Sequence, residues 1–240
     1  MGVIAGIHPV REALLAGAPL ERVVVARGLG GPRIDEIVAL CRERNVPLRF
    51  EPRASLDRLA AKTPHQGVVG VAAAQRFAGL DDLSATASLL VLLDGVEDPH
   101  NLGAILRTAH AAGAGGVVVP ERRSAPVTET VAKASAGAIA HIPVARVSNM
   151  NRALDQLKER GWWIYGFDQN GQYDYDTVAR AERAALVFGG EGKGLHDQVR
   201  RKCDYLVRIP LAGKVASLNV SVAAGVALFE WRRRSRRPLE

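Results

Sequence analysis

The chain has 240 residues, of which 48% are hydrophobic and 24% charged, so it can bury a sizeable core and is not intrinsically disordered. Its formal net charge of +7 is compatible with a polyanionic partner but does not identify one. The sequence has only two cysteines, Cys41 and Cys203, outside any C-x-x-C spacing, which disfavours a zinc site and a disulfide framework. No apolar run reaches the roughly 18 residues that cross a bilayer, so we expect a metal-free cytoplasmic protein without a membrane segment.

The first third of the sequence predicts a small α/β domain, residues 1–74. Helical and strand patterns alternate along it. The predicted elements are a helix at 8–16, a strand at 22–26, a helix at 33–43, a strand at 48–50, a helical turn at 56–60 and a strand at 67–73. Residues 75–88 then lose this periodicity and gain Gly, Asp, Ser and Thr, which predicts a linker.

The remainder, residues 89–240, predicts a second and larger α/β domain. Short apolar runs indicate buried strands at 89–93, 116–119, 141–144, 162–167, 185–188 and 205–209. Helical patterns separate them at 101–112, 128–137, 150–160 and 195–201. Such alternation is typical of a mostly parallel sheet covered by helices on both faces. Ligands of these sheets bind beyond the carboxyl ends of strands, so the loops after Leu93, Phe188 and Ile209 are the candidate binding loops.

The first candidate loop, residues 94–103, leads into a helix whose apolar positions predict a buried stripe. Asn101 stands where a helix N-cap belongs, and capping alone would explain it. Arg107 lies about 140° around the helix from Leu102 and therefore off the stripe. It is either a solvated arginine or, because it follows a polar strand-end loop, a residue that contacts an anion.

The second candidate loop contains four glycines in six residues, Gly189, Gly190, Gly192 and Gly194. They permit a tight strand-to-helix turn, or close approach of a ligand to the backbone. The spacing matches neither the phosphate-binding P-loop nor the glycine fingerprint of dinucleotide-binding domains. A nucleotide-dependent oxidoreductase is therefore disfavoured.

The third candidate loop begins at Ile209 and leads into the last helix. We expect the buried face of that helix to carry Leu218, Val222, Val226 and Phe229. Ser217 and Asn219 would lie in its first turn, where each could simply cap the helix. Each loop alone is ambiguous, but all three follow strands in this order, which favours one shared site.

These loops resemble three motifs of the SpoU/TrmH branch of the SPOUT RNA methyltransferases. The matching segments are 94–107, 186–195, which reads Leu-Val-Phe-Gly-Gly-Glu-Gly-Lys-Gly-Leu, and 209–230, which begins Ile-Pro-Leu-Ala-Gly-Lys-Val-Ala-Ser-Leu-Asn-Val-Ser. The first domain contains Gly-Ile-His-Pro-Val at 6–10 and His-Gln-Gly at 65–67. It is similar to the substrate-binding domain of the 23S rRNA guanosine-2'-O-methyltransferase subgroup, which has an L30e-like fold.

The resemblance implies a SPOUT domain with a deep trefoil knot at about 186–230, S-adenosyl-L-methionine as cofactor, and a homodimer. It also implies methylation of a ribose 2'-hydroxyl, most closely that of a guanosine in 23S rRNA. Two alternatives stay open. One is a tRNA (guanosine-2'-O-)methyltransferase with the same chemistry, and the other is a catalytically silent RNA-binding protein.

The resemblance also assigns site residues. The implied catalytic set is Asn101, Arg107, Glu191, Ser217 and Asn219. The implied cofactor-binding set is Gly189, Gly190, Gly192, Ile209, Leu211 and Leu218. A guanidinium stays protonated in proteins, so we expect Arg107 to stabilise an alkoxide or hold a phosphate rather than act as a base. For RNA binding, the basic candidates in the first domain are Arg22, Arg27, Arg33 and Arg53. The arginine-rich tail, residues 232–237, is either a solvated helix end or a further RNA contact.

Overall fold

The computed structural model of this chain describes residues 3–18, 20–61, 63–72, 77–192 and 194–235. The chain forms two compact units, residues 1–76 and residues 77–240. Residues 75 and 76, which begin the predicted linker, and residues 236 and 237 of the arginine-rich tail lie outside the described residues.

Unit 1 is a four-stranded sheet with helices on both faces. Its elements in chain order are β1 (Val3–Ala5), α1 (Ile7–Leu15), β2 (Leu20–Ala26), α2 (Pro32–Glu43), β3 (Leu48–Glu51), α3 (Arg53–Leu59) and β4 (Val68–Ala72). The strand order is β1-β4-β2-β3, in which β2 and β3 are parallel and the other two pairs are antiparallel. Strand β2 is central because its valines, Val23, Val24 and Val25, are β-branched and fully buried.

Unit 2 is built on a seven-stranded sheet. Its elements are α4 (Leu80–Thr86), β5 (Leu89–Asp94), α5 (Pro99–Ala112), β6 (Gly116–Pro120), α6 (Glu129–Ala134), a 3-10 turn (Ala138–Ala140), β7 (Val144–Val147), α7 (Met150–Glu159), β8 (Trp163–Phe167), β9 (Tyr173–Asp174), β10 (Ala184–Gly189), α8 (Asp197–Lys202), β11 (Tyr205–Arg208) and α9 (Val220–Ser235). The strand order is β7-β6-β5-β10-β8-β11-β9, and every neighbouring pair is parallel.

Both faces of this sheet are buried, as the sequence predicts. Along β5, Val91 and Leu93 pack on one face with α5, α6 and α9, while Leu90 and Leu92 pack on the other with α4, α7 and α8. The side chains alternate between the two cores because successive residues of a strand point to opposite faces. The predicted α/β class with a mostly parallel sheet is therefore confirmed.

The structure differs from the sequence-based expectation at four elements. The predicted linker contains helix α4, whose Leu83 is buried against the sheet. The strand expected at 141–144 begins instead at Val144, because a 3-10 turn occupies the preceding residues. Strands β1 and β9 have only three and two residues, which is too short for an alternating pattern to be recognised.

The expected buried face of the last helix was also wrong. Val222 and Phe229 are 51% and 53% exposed. The helix begins only at Val220, and its buried residues are Val220, Ala224, Ala227, Leu228 and Trp231. The small alanines sit where α9 packs against α5, so the larger apolar side chains fall on the outer face.

None of the helices in the described residues is both long and apolar enough to cross a bilayer. Likewise, the described histidines, cysteines and acidic residues form no cluster of three that could hold a metal ion.

Candidate active site

A cleft of about 490 Å³ opens at the carboxyl ends of β8, β10 and β11, which are consecutive in the sheet. Its walls are the residues after these strands together with the segment 216–220 that leads into α9. Parallel strands place their carboxyl ends along one edge, where ligands of α/β sheets bind. The cleft volume lies within the range of small-molecule sites.

The backbone turn after β10 forms one wall of the cleft. Two of its positions require glycine, because no space remains there for a Cβ atom. A Cβ atom on Gly189 would lie 2.0 Å from the carbonyl carbon of Gly194, and one on Gly190 would lie 2.1 Å from the carbonyl oxygen of Gly95. Gly192 has a φ of 78°, which L-residues with a side chain rarely adopt. The turn is therefore packed directly on the loop after β5.

Asn101 joins the three motif loops through its side-chain amide. Its Nδ2 donates a hydrogen bond to Oε1 of Glu191 at 2.5 Å, and its Oδ1 accepts one from Nδ2 of Asn219 at 3.1 Å. Asn101 is only 8% exposed, whereas Glu191 and Asn219 are exposed, so both bonds are partly buried. The amide thus fixes the glycine loop and the start of α9 relative to α5.

Capping is carried out by other residues than expected. The N-cap of α5 is Asp98, whose carboxylate accepts from the backbone N–H of His100, so Asn101 lies inside the helix with its side chain free for the site. At α9 the expectation holds in part. Oδ1 of Asn219 accepts from the backbone N–H of Ser221 at 2.9 Å, while Ser217 precedes the helix and lines the cleft.

Arg107 stands apart from the other members of the predicted catalytic set. It is exposed on α5 and does not line the cleft. Among the described residues it has neither an ion pair nor a side-chain hydrogen bond. Its charge is therefore available to a group that arrives from outside the chain.

All six residues predicted to bind the cofactor line the cleft: Gly189, Gly190, Gly192, Ile209, Leu211 and Leu218. Glu191, Ser217 and Asn219 line it too, and Asn101 is attached through its hydrogen bonds. The structure thus brings together every predicted site residue of unit 2 except Arg107.

Sequence reasoning missed the contribution of β8 and α8 to the cleft. Asp168 and Asn170 follow β8, and Arg200 lies on α8 with its Nη2 3.7 Å from Oδ1 of Asp168. The Asp168 side chain is 10% exposed. The signal was present, because a polar run follows a predicted strand, and the rule applied to the other three strand ends applies equally here.

A buried carboxylate and a partly buried thiol lie close to this cleft. Oδ2 of Asp94 accepts a hydrogen bond from the backbone N–H of His196 at 2.8 Å, which fixes the residues that follow the glycine loop. Beside β8, burial raises the pKa of the Cys203 thiol to about 12, and a Cβ atom on Gly166 would lie only 2.5 Å from its sulfur. Cys203 therefore stays protonated and serves as packing rather than as a nucleophile.

The four arginines predicted to bind RNA divide into two groups within unit 1. Arg27, Arg33 and Arg53 are exposed and follow the carboxyl ends of the parallel strands β2 and β3. Arg22 lies near the opposite end of β2 and forms an ion pair with Glu21. The structure brings three of the four to one end of the sheet, and whether they bind RNA stays a prediction.

Comparison with protein families divides the chain at the same region as the structure. The profile of the SpoU rRNA Methylase family matches residues 88–229. The profile described as RNA 2'-O ribose methyltransferase substrate binding matches residues 3–78. The chain is also 42% identical over 234 residues to a Staphylococcus aureus (strain MSSA476) protein named for the TrmH family of tRNA/rRNA methyltransferases, with 95% of this chain and 94% of that one covered.

Solved structures with this architecture include two that were determined with S-adenosylmethionine. An rRNA methyltransferase from Sinorhizobium meliloti, with the cofactor bound, superposes with a TM-score of 0.69 at 29% identity over 99% of this chain and 88% of that one. The SpoU methyltransferase AviRb from Streptomyces viridochromogenes, also in complex with the cofactor, has a TM-score of 0.69 at 26% identity over 97% and 89%.

Proposed function

The chain belongs to the SpoU rRNA methylase family, and from this premise we propose that it transfers a methyl group from S-adenosyl-L-methionine to a ribose 2'-hydroxyl of RNA. The observation that supports the proposal most is the hydrogen-bonded chain Glu191–Asn101–Asn219, which joins all three motif loops at the mouth of the cleft. It argues against a silent RNA-binding protein, because RNA binding alone needs no such arrangement beside a cofactor-sized cleft.

The cleft fits the proposed cofactor in size and in chemistry. Ile209, Leu211 and Leu218 offer an apolar wall to an adenine ring, and the glycine loop brings backbone groups close to it. Asp168 and Arg200 offer charges of both signs, which suit the zwitterionic amino-acid end or the ribose hydroxyls. We propose that these residues bind the cofactor.

The bound cofactor supplies an electrophilic methyl group on a sulfonium. The chain must then align the ribose hydroxyl with that group, and alignment is the larger part of catalysis for such a displacement. Ser217 and Asn219 line the cleft beside the glycine loop and would orient the ribose. Asn101 acts through Asn219 and Glu191, since its amide is hydrogen-bonded to both.

Arg107 is proposed to meet the substrate rather than the cofactor. Its exposed guanidinium would hold the RNA phosphate next to the target ribose, or stabilise the alkoxide as the hydroxyl releases its proton to solvent water. It remains protonated throughout, so it is a positive charge at the reacting centre and not a proton acceptor. Either role requires the RNA to bridge the exposed face of α5 and the cleft.

For the substrate we propose a guanosine of 23S rRNA, with unit 1 binding the RNA. The exposed arginines Arg27, Arg33 and Arg53 support this, because phosphate contacts supply much of the affinity for RNA. The alternative is a tRNA (guanosine-2'-O-)methyltransferase, which would use the same cleft. Both substrates are compatible with the name of the S. aureus relative.

We further propose a homodimer, a trefoil knot at about 186–230 and a cytoplasmic location. The dimer is supported by apolar side chains that the structure leaves exposed on the third motif segment, residues 209–230. These are Leu211, Val215, Val222 and Phe229. A second copy would remove them from water, and burial of apolar area is the main source of association energy.

Incubation with methyl-labelled cofactor and separate rRNA and tRNA pools tests this proposal. We expect label in 23S rRNA, at a level that falls when Asn219→Ala replaces the wild type. Label confined to tRNA would favour the alternative. Absence of label in every RNA pool, with the cofactor still bound by calorimetry, would overturn the enzymatic proposal.

A further inference from the structure

Three aromatic side chains form a continuous, partly exposed surface at one edge of the unit 2 sheet. Trp163, Tyr205 and Tyr173, here called the aromatic surface, lie on β8, β11 and β9, the last three strands at one edge of the sheet. The Trp163 and Tyr205 rings stack with centroids 5.7 Å apart, and Tyr173 meets Tyr205 edge-on at 5.2 Å. Trp163 and Tyr173 are 47% and 43% exposed.

The core holds this surface rigidly. Tyr205 stacks on the fully buried Tyr165 at 5.1 Å. The Tyr165 hydroxyl donates to the carbonyl of Ala179 and accepts from the N–H of Ala181. Preformed and exposed aromatic area is costly in water, so a surface of this kind marks a binding site more often than a packing accident.

Unpaired arginines surround the same region. Trp231 of α9 packs on Tyr165 with the ring centroids 4.8 Å apart, which brings Arg234 of the last helical turn alongside, while Nη1 of Arg232 lies near Gly113 at the end of α5. Arg180 lies 6.0 Å from the Trp231 ring. In the part of the chain that the structure describes, none of these three arginines forms an ion pair, whereas other arginines close by do. The paired examples are Arg208 with Asp174 and Arg233 with Glu230.

Two of these guanidinium groups are also partly withdrawn from water. Nε of Arg180 and Nη1 of Arg234 are buried without a hydrogen-bond partner in the described structure. Nη2 of Arg234 donates to the carbonyl of Val178. A desolvated positive charge that lacks a counter-ion is costly, and an anion on the outward N–H groups would offset that cost.

We propose that the aromatic surface and these arginines bind a single-stranded segment of the RNA substrate. A base would stack on Trp163, and neighbouring phosphates would pair with Arg180 and Arg234. Stacking on aromatic rings combined with cationic contact to the backbone is how single-stranded nucleic acids are bound without sequence preference. The proposal rests on RNA being the substrate, and it adds where the RNA lies beyond the reacting nucleotide.

This binding surface is separate from the site of methyl transfer. Helix α9 runs from Val220 beside the cleft to Ser235, and at 1.5 Å per residue its arginine-bearing end is about 20 Å away. The segment bound here therefore flanks the target nucleotide. Losing the contact should raise KM for RNA and leave kcat almost unchanged. A substitution inside the cleft should instead lower kcat.

The charge pattern argues for RNA rather than a second copy of the chain. A symmetric dimer through this surface would bring the same uncompensated arginines of two copies together, and like charges oppose association. RNA carries negative phosphates that can pair with the arginines, and flat bases that can stack on the aromatic rings. Self-association through the aromatic surface is therefore the outcome that would contradict the proposal.

The test compares Trp163→Leu with Trp163→Phe, and uses Leu15→Ala as a control at an exposed apolar residue outside the surface, 41% exposed on α1. The probe is a labelled oligouridylate, and its binding is followed by anisotropy and by quenching of tryptophan fluorescence. Trp162 and Trp231 are buried, so quenching by a stacked base should come from Trp163. We expect Trp163→Leu to bind about tenfold more weakly and lose the quenching, and both Trp163→Phe and Leu15→Ala to bind within twofold of wild type.

Methyl transfer to rRNA by the same proteins separates the two proposals. If wild type transfers label but Trp163→Leu keeps its affinity and KM, this inference alone fails. If wild type shows the quenching and transfers no label, the proposed activity fails while the RNA surface stands. Loss of dimerisation in Trp163→Leu, seen by sedimentation, with RNA affinity unchanged would instead assign the surface to a second copy.

Discussion

Asn101 and Glu191 are ninety positions apart in the chain, yet the Asn101 amide donates to the Glu191 carboxylate at 2.5 Å. The same amide accepts from Asn219, a further link from α5 to the start of α9. A single neutral side chain can do this because an amide carries both a donor and an acceptor. The amide nitrogen of Asn101 thus bonds to the glycine loop through Glu191, and its amide oxygen bonds to the start of α9 through Asn219.

The first prediction concerns this amide. Asn101→Asp places a carboxylate against Glu191 and should lower the free energy of unfolding by about 1–3 kcal/mol, measured by urea denaturation. Misplacement of the two loops should lower the methyl-transfer rate about 100-fold. Adding Glu191→Gln to Asn101→Asp exchanges donor and acceptor, so the double variant should regain most of the stability. Equal stability of Asn101→Asp and wild type would contradict the assigned link.

The second prediction concerns the glycine loop. Gly190→Ala would put a Cβ atom 2.1 Å from the carbonyl oxygen of Gly95, so the loop must move. We expect a loss of about 1–3 kcal/mol of stability and loss of cofactor binding in calorimetry. The control is Gly213→Ala, where the nearest group to the new Cβ atom, a methyl of Val215, is 4.0 Å away. A Gly190→Ala protein that binds the cofactor normally would show that the loop does not form the binding wall.

The third prediction separates two roles of Arg107. Arg107→Lys retains the charge but loses the planar fork that grips phosphate. If Arg107 holds a phosphate or an alkoxide, the variant should lose the same factor in kcat/KM at every pH between about 6 and 9, because both side chains stay protonated there. Recovery of activity as pH rises would indicate a base instead. Arg152→Lys, at another exposed arginine of unit 2, serves as the control.

The fourth prediction concerns the two thiols. Burial raises the pKa of Cys41 to about 11 and that of Cys203 to about 12. Neither should react with a thiol reagent near neutral pH in the native protein, and both should react in urea. Because both folded pKa values exceed the ordinary value of 9.0, their contribution to stability is complete below pH 9 and is lost as pH rises towards 11–12. Rapid native labelling would contradict the described burial.

Much of unit 2 could be predicted from the sequence because its signals are local. Apolar runs such as that of β5 indicate buried strands, and polar residues after them indicate the ligand edge. The same reasoning placed the glycine loop and Asn219 in one site. Only the capping interpretation of Asn101 was wrong, because Asp98, three positions earlier, occupies the N-cap and leaves the asparagine inside the helix.

The remaining errors arise from packing that no short window of sequence contains. Val222 and Phe229 have helical spacing for a buried face, but α9 meets α5 through Ala224 and other small residues, so the large side chains turn outward. Strand β9 has two residues and exists only because β11 pairs with it. These features depend on contacts between segments far apart in the chain.

The most direct test of ribose 2'-O-methylation is the alkali resistance of the labelled linkage. Alkaline cleavage of RNA needs a free 2'-hydroxyl, so a 2'-O-methyl group protects the bond that follows it. After transfer of labelled methyl to 23S rRNA and complete alkaline hydrolysis, we predict that the label remains in a dinucleotide. Label released in a mononucleotide would place the methyl group on a base and contradict the account.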